Sequence, residues 1–224
     1  MSAGIVRSEL WRSLLPPGVV AYETREFVQA PLLFDGEQSL VAKAVPKRVA
    51  EFAAGRLCAR HALAELGHTD FQLLRDASRR PLWPDGIVGS ITHTDGYCGA
   101  AVGRQSAISS IGIDAEEIVR LDDSILRAIC TPEERARLEE ADTAKRQCAT
   151  ALVFSAKEAF YKCHSAAGGE MLGFRDVALC FHENGFTVEP QRAFRRSWPE
   201  GTRPAGQYEI REGLVFCAVA FVRH

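Results

Sequence analysis

The stretch that most constrains the fold is Phe154-Ser155-Ala156-Lys157-Glu158-Ala159-Phe160-Tyr161-Lys162. Its spacing places Glu158 and Lys162 on one face of a helix, because side chains four residues apart are neighbours. An ordinary surface ion pair would explain these two charges on their own. However, the aromatic residues of the stretch predict a largely buried helix, on which unpaired charge is unfavourable. The stretch therefore indicates a functional site on a core helix that runs from about residue 144 to residue 162.

A second charged segment, Gly112-Ile113-Asp114-Ala115-Glu116, predicts a strand that ends in carboxylates. Asp114 and Glu116 are two residues apart and share one face of that strand. Taken alone, the segment could equally be a solvated loop edge, in which Glu117 is equivalent to Glu116. If Glu158 meets these two carboxylates, the three form an oxygen cage of the kind that suits Mg²⁺.

The remaining pattern mixes helices and strands without strict alternation, which predicts an α+β fold. A helix is expected over residues 45–66, closed by Gly67, and a short helix over 124–129 is followed by another that begins at Thr131-Pro132. Strands are expected at residues 71–74, 87–92, 97–102, 111–116, 177–181, 186–188, 208–211 and 214–222. Prolines predict that residues 1–40 are irregular. The polar stretch 103–110 is the predicted junction between an N-terminal half, 1–107, and a C-terminal half, 108–224.

Together the two charged segments resemble the paired signature of the phosphopantetheinyl transferases, a Gly-Ile-Asp-x-Glu strand end followed by an aromatic-Ser-x-Lys-Glu-x-x-x-Lys helix. Residues 47–63 resemble the N-terminal helix of the siderophore-synthetase and surfactin-type subgroup, and residues 81–93, from Pro81-Leu82-Trp83 to Gly89-Ser90-Ile91-Thr92-His93, are similar to its central motif. The resemblance runs from about Val45 to Leu172. It implies two similar α+β halves packed with pseudo-two-fold symmetry, coenzyme A between them, and a monomeric protein.

The resemblance also implies a role for individual residues. Asp114, Glu116 and Glu158 would bind Mg²⁺, and Glu158 is alternatively the base that deprotonates the acceptor serine. The other residues implied to contact coenzyme A are Lys162 and His93 at the pyrophosphate, Arg48 and Arg56 at the 3′-phosphate, and Arg75, Ser90 and Thr92. Arg48 and Arg56 are about two helical turns apart, so both are expected to point the same way. A basic solvent face would explain the arginines as well, and His93 alone is more typical of a structural histidine. The family often has Lys where Arg75 stands and Gly-Lys-Pro where Arg79-Arg80-Pro81 stands.

The implied reaction moves the 4′-phosphopantetheine arm of coenzyme A onto a serine of an apo acyl or peptidyl carrier protein and releases 3′,5′-ADP. One alternative is a Mg²⁺-dependent hydrolase of coenzyme A or related nucleotide diphosphates, with water as the nucleophile. A hydrolase built on Ser155 and Lys157 is less favoured, since residues two apart on a helix do not face each other. A carrier-binding module without activity is the third alternative, and the intact carboxylates argue against it.

Composition narrows the class of protein and of partner. The 224 residues are 46% hydrophobic and 25% charged, with a formal net charge of −2, which argues against nucleic-acid binding. No apolar run is long enough for a signal sequence or a membrane span, so a soluble cytoplasmic protein is expected. The seven scattered cysteines predict neither a zinc site nor a disulfide framework.

Two further segments admit two interpretations each. Met171-Leu172-Gly173-Phe174 is the candidate docking edge for the carrier protein, which is expected to be acidic, although core packing would explain the segment too. Arg192-Ala193-Phe194-Arg195-Arg196-Ser197-Trp198 resembles a basic-aromatic nucleic-acid patch, but a solvated strand and loop explain it as well.

Overall fold

The computed structural model describes residues 4–27, 33–119, 123–198 and 202–223. These fall into two compact units. Unit 1 extends to Ile111 and includes Val222 and Arg223, and unit 2 runs from Gly112 to Phe221. Each unit combines helices with antiparallel strands, so the predicted α+β class is confirmed. No helix within the described ranges has both the length and the hydrophobicity needed to cross a membrane.

Unit 1 contains an antiparallel sheet with the strand order β1-β2-β4-β3. The strands are β1 (Val6–Arg7), β2 (Val20–Thr24), β3 (Ile87–Thr94) and β4 (Tyr97–Arg104). The helices are α1 (Glu9–Leu14), α2 (Asp35–Val41) and α3 (Pro46–Glu65). The predicted strands at 87–92 and 97–102 are confirmed, and β3 continues far enough to include His93.

Helix α3 packs on the sheet of unit 1 through its small residues. Pro46 opens the helix at the first position, where its missing N–H needs no partner. Gly55 lies against the Ile91 side chain of β3, because a Cβ at position 55 would be 2.9 Å from Ile91 Cγ2. The chain leaves the helix through Gly67, whose φ of +92° confirms the predicted glycine cap.

Two expectations for unit 1 are wrong. The first forty residues are not irregular, since β1, α1, β2 and α2 lie there. Ser8 caps α1 by accepting a hydrogen bond from Trp11 N at 3.1 Å. Pro16 does not prevent this helix from forming, because α1 already ends at Leu14. Residues 71–74 do not form a strand. The backbone of Leu73 instead forms hydrogen bonds with the side chains of Glu37 and Arg56. The neighbouring Arg75 makes an isolated β-bridge to Pro81.

Unit 2 contains a sheet with the strand order β5-β9-β8-β7-β6. The strands are β5 (Ile108–Glu117), β6 (Val177–His182), β7 (Gly185–Pro190), β8 (Ala205–Arg211) and β9 (Leu214–Val222). The helices are α4 (Asp123–Ile129), α5 (Pro132–Glu139) and α6 (Thr143–Ala166), and a 3₁₀ turn covers Phe174–Asp176. Strand β5 begins in unit 1 and enters unit 2 at Gly112.

Helix α6 is the central helix of unit 2. Asp142 caps its first turn by accepting a hydrogen bond from Lys145 N at 3.0 Å. Its apolar face contributes Ala156, Ala159 and Phe160 to a core that also contains residues of β6, β7 and β9. The helix continues one turn beyond its predicted end at Lys162, because Cys163 and His164 are buried too.

Candidate active site

A lysine–carboxylate pair joins α6 to β5 within unit 2. Lys162 Nζ donates hydrogen bonds to Asp114 Oδ1 at 2.6 Å and to the Ile113 carbonyl oxygen at 3.1 Å. Asp114 is buried, whereas the Lys162 side chain is 31% exposed. The structure therefore brings two of the predicted site residues into direct contact, and one of them can still reach solvent.

Gly112 explains how β5 comes close enough to α6 for this contact. A Cβ at this position would overlap the Ala159 carbonyl oxygen and would lie 2.6 Å from the Cys163 amide nitrogen. Only glycine permits such an approach of two backbones. The glycine of the predicted motif thus places Asp114, two residues further on, beside Lys162.

Glu116 and Glu158 share an electrostatic environment with Asp114. Burial raises the pKa of Glu116 to about 7, and the negative charges of Asp114 and Glu158 contribute to this shift, while Lys162 opposes it. Burial also raises the pKa of Glu158, with Lys162 opposing the shift and Asp114 contributing to it. All three predicted carboxylates therefore interact in unit 2, and Lys162 offsets part of their repulsion.

The chemistry of these donors fits a hard divalent cation. Carboxylate oxygens are the ligands that Mg²⁺ takes in proteins, and a bound cation would offset the negative charges of Asp114 and Glu158, which add to the effect of burial on the pKa of Glu116. In the described part of the chain, no three His, Cys, Asp or Glu side chains already surround one metal position. Lys162 supplies the positive charge next to Asp114.

Lys157, although five residues before Lys162 on the same helix, is not part of this site. Its side chain is fully buried, and Nζ donates to Glu134 Oε2 at 2.7 Å and to the carbonyl oxygens of Ile129 and Phe174 at 2.8 Å each. All three hydrogens of the ammonium group are thus used. The arrangement gives Lys157 a structural role and removes the basis for a Ser155–Lys157 hydrolase.

In unit 1, His93 of β3 meets the first turn of α3. The Arg48 guanidinium donates a hydrogen bond to His93 Nε2, and Arg48 NH1 also lies 3.2 Å from Glu51 Oε2. Glu51 Oε2 is 3.8 Å from His93 Nδ1. Arg48 and His93 are both partly exposed, so the structure joins two of the residues predicted to contact coenzyme A. Glu51, which the sequence did not single out, pairs with Arg48 and lies beside His93.

Ser90 and Thr92 are placed differently from His93. Both are buried, and the alternation of side chains along β3 puts them on the face opposite His93. Their predicted contact with the ligand stays a prediction.

Arg56 lies about two turns beyond Arg48 on α3, and Arg75 follows the segment that Arg56 contacts. The Arg56 side chain is buried, stacks 4.1 Å over the Phe52 ring and donates through Nε to the Leu73 carbonyl oxygen at 2.9 Å. Burial lowers the pKa of Arg56 to about 10. Arg75 donates to the Leu40 carbonyl oxygen at 3.3 Å. Arg48 is therefore the exposed member of the predicted arginine pair and Arg56 the buried one.

In the segments 171–174 and 192–198, some side chains are exposed and others pack inward. Met171 is 92% exposed, whereas Phe174 packs on Phe154 of α6. In the basic-aromatic segment, Phe194 and Trp198 turn inward against His164, and Arg192 pairs with Glu170 and Asp176. Its two aromatic rings are partly buried and pack against the core of unit 2.

Comparison with known proteins identifies the family. A model of the 4′-phosphopantetheinyl transferase N-terminal domain matches residues 36–103, and a model of the 4′-phosphopantetheinyl transferase superfamily matches residues 110–209. The 4′-phosphopantetheinyl transferase Npt of Nocardia iowensis is 34% identical over 93% of this chain and 98% of its own length. The chain belongs to the 4′-phosphopantetheinyl transferase family.

Two further relatives support this assignment. The 4′-phosphopantetheinyl transferase PptT of Mycobacterium tuberculosis is 39% identical over 82% of this chain and 83% of its own length. The enzyme Svp of Streptomyces mobaraensis, also named a 4′-phosphopantetheinyl transferase, is 38% identical over 93% and 87%. The matched regions of this transferase contain both groups of predicted site residues.

Proposed function

We propose that this 4′-phosphopantetheinyl transferase modifies a serine of an apo acyl or peptidyl carrier protein with the phosphopantetheine arm of coenzyme A. Family membership over nearly the whole chain carries the proposal. It is supported by the interactions among the three carboxylates of the motif and Lys162. It favours transfer over hydrolysis of coenzyme A. We infer a soluble, cytoplasmic, monomeric enzyme that acts on neither nucleic acid nor membranes.

In unit 2, Asp114, Glu116 and Glu158 would hold Mg²⁺. The bound ion would neutralise the diphosphate of coenzyme A and polarise the phosphorus that is attacked. The buried Asp114 forms an ion pair with Lys162, whose Nζ lies 2.6 Å from Asp114 Oδ1, so a positive charge stands beside the proposed metal ligands.

Glu158 would also accept the proton of the acceptor serine on its carboxylate. Its raised pKa brings its basicity closer to the value that a general base needs near neutral pH. The serine oxygen would then form a bond to the β-phosphorus while the bond from that phosphorus to the oxygen of 3′,5′-ADP breaks. Lys162, which is partly exposed, would stabilise the charge on the phosphate oxygens.

In unit 1, His93 would contact the pyrophosphate, and Arg48 and Arg56 would bind the 3′-phosphate, with Arg75, Ser90 and Thr92 as further contacts. The guanidinium group suits phosphate because it donates two hydrogen bonds in one plane. Glu51 supports this role because it pairs with Arg48, which in turn donates a hydrogen bond to His93.

The exposed Met171 supports residues 171–174 as the docking edge for the carrier protein, with Phe174 as its anchor in the core. Docking would place the acceptor serine within reach of the carboxylates.

The test is intact-mass spectrometry of apo acyl and peptidyl carrier proteins incubated with the enzyme, coenzyme A and Mg²⁺. The expected result is a gain of one phosphopantetheinyl group, which EDTA abolishes. Consumption of coenzyme A without any gain on the carrier would instead establish the hydrolase. The carrier that is modified fastest identifies the pathway that the enzyme serves.

A further inference from the structure

Glu37 of α2 is a fully buried carboxylate that connects three segments of unit 1. Its Oε2 lies 2.7 Å and its Oε1 3.0 Å from Arg60 NH1 of α3. Oε1 also accepts a hydrogen bond from Leu73 N at 3.0 Å, and Oε2 accepts one from Phe34 N at 3.1 Å. The carboxylate thus ties α2 to α3 and to the segment that leads to Arg75.

Leu73 is held from both sides by charged groups. Its N–H donates to Glu37, and its carbonyl oxygen accepts from Arg56 Nε at 2.9 Å. Arg75 follows two residues later and donates to Leu40 of α2. A movement of Leu73 would therefore displace the hydrogen bond that orients Arg56 and shift the backbone that carries Arg75.

The charges around Glu37 also link it to the arginines of unit 1. Glu37 pairs with Arg60, and its charge counters the effect of burial on the pKa of Arg56, whereas the positive charges of Arg60 and Arg75 add to that effect. The Arg60–Glu37 pair is nearly buried, with side chains 15% and 0% exposed. Without the carboxylate, the arginines would repel one another and Arg60 would lose its partner in that pair.

We propose that Glu37 is a positioning residue for the 3′-phosphate of coenzyme A, acting through Arg60 and Leu73 to hold Arg56 and Arg75. This inference rests on the proposed function, which assigns those two arginines to coenzyme A. Glu37 does not touch the substrate. It fixes the backbone and the guanidinium groups that do.

Removing the carboxylate has two opposite effects that an experiment can separate. Loss of a negative charge raises the local positive potential, which favours phosphate binding. Glutamine has one acceptor oxygen where glutamate has two, so it cannot accept from both Leu73 N and Phe34 N, and a weaker hold on Leu73 disfavours binding because Arg56 loses its orientation. Glu37→Gln alone changes both charge and position. Glu37→Gln combined with Arg60→Gln leaves the net charge of the cluster unchanged and changes only position.

The experiment measures the dissociation constants of coenzyme A and of 3′-dephospho-coenzyme A by calorimetry for the wild type and both variants. Hydrogen bonds to charged groups are strong enough that a positioning role should weaken coenzyme A binding by about tenfold in both variants. Binding of 3′-dephospho-coenzyme A should stay within about twofold, since it lacks the group that the arginines hold. A purely electrostatic role would instead tighten coenzyme A binding in Glu37→Gln and restore it in the double variant, which would overturn the proposal.

Two outcomes separate this inference from the function on which it rests. Equal losses for both ligands would mean a general structural role, and the inference fails while the transferase function stands. A wild type that binds neither ligand would contradict the proposed function itself. If Glu37→Gln does not fold because Arg60 lacks its partner in the ion pair, the double variant, which removes both charges of the pair, carries the test alone. It should show the same selective loss of coenzyme A binding, and wild-type binding in the double variant would overturn the proposal.

Discussion

Lys157 and Lys162 show how two lysines of one helix take different roles. Lys157 is fully buried and bound by a carboxylate and two carbonyl oxygens, whereas Lys162 is partly exposed beside Asp114. Their spacing explains the difference, because side chains five residues apart point to different faces of α6. The motif therefore combines one residue that stabilises the fold with another that is proposed to bind substrate.

Replacing Lys157 with Met is expected to destabilise the protein by about 3–5 kcal/mol, because the buried charge of Glu134 would lose the opposite charge of Lys157 and keep only backbone amide donors. Chemical denaturation in urea measures the change. The double variant Lys157→Met, Glu134→Gln should recover part of the loss, since it buries no isolated charge. A single variant as stable as the wild type would contradict the structural role.

Replacing Glu158 with Gln is expected to lower the rate of carrier modification by at least about 100-fold, because the amide can neither accept a proton nor bind a cation well. The melting temperature should change little. Glu117→Gln is the matched control, as it removes a nearby carboxylate that has no proposed role. Equal rates for the two variants would remove Glu158 from the site.

At the residue scale, the sequence predicted Asp114, Glu116, Glu158 and Lys162, and the structure shows that they interact. Their spacing in two regular elements made that possible. Glu37 could not be found in this way, because Arg60 and Leu73, which it binds, lie outside α2, and Glu51 stands out only once His93 of β3 lies beside its ion pair with Arg48. Neither residue stands out until α2, α3 and β3 are assembled.

At the scale of elements, periodicity predicted the long helices and the buried strands well. The predicted strand at 214–222 matches β9, and the predicted helix at 45–66 nearly matches α3. The short elements before residue 40 were missed because their few residues show no repeat. Their stability comes from contacts such as the hydrogen bond from Trp11 Nε1 to Tyr97 Oη at 2.7 Å.

The close contact between β5 and α6 predicts that Gly112→Ala is destabilising by about 1–3 kcal/mol, since an added methyl group must push two backbones apart. Gly173→Ala is the control, because the nearest atom to a Cβ there is 3.6 Å away and its φ is −84°. Thermal denaturation compares the two. A larger loss for Gly173→Ala than for Gly112→Ala would be inconsistent with the contact.

The end of α6 predicts a pH dependence of stability. His164 is buried among Phe160, Phe194 and Trp198, and its ring nitrogens hydrogen-bond to Ser197 Oγ and to the Glu170 carbonyl oxygen. Burial lowers the pKa of His164 below its usual value of 6.5, with Glu170 opposing the shift. The unfolded chain therefore binds the proton more tightly, and stability is expected to fall as the pH drops below about 6.5.

Unfolding in urea at pH values from about 7.5 to about 5 tests this dependence. Both limits lie about one unit or more from the usual histidine pKa of about 6.5. His164→Gln should reduce the decrease in the free energy of unfolding between about pH 7.5 and about pH 5. A substitution of the exposed His182 is the control and should leave this pH dependence as in the wild type. An unchanged profile in His164→Gln would contradict the prediction.

At the scale of the whole molecule, the chain has two units of mixed helix and sheet, and each contains one group of predicted site residues. The family models match regions of both units. Sequence could predict this because the two charged motifs and the basic helix lie far apart along the chain. The contacts that hold each group depend on the folded units and had to be seen in them.

Binding of Mg²⁺ is expected to raise the melting temperature of the whole protein, because a ligand that binds only the folded state stabilises it by mass action. Differential scanning fluorimetry with increasing MgCl₂ measures the shift at constant ionic strength. The shift should disappear in Asp114→Asn and Glu116→Gln and persist in Glu117→Gln. A shift that persists in the first two variants would place the cation elsewhere.

The contact at Gly112 also bears on how the protein opens. With no side chain between the backbone of β5 and that of α6, neither element can move away without exposing amide groups of the other to solvent. Their amide hydrogens should then exchange with deuterium as one cooperative group. Asp114 and Lys162 would be lost from the native arrangement in a single opening event, so the site is either wholly formed or wholly absent.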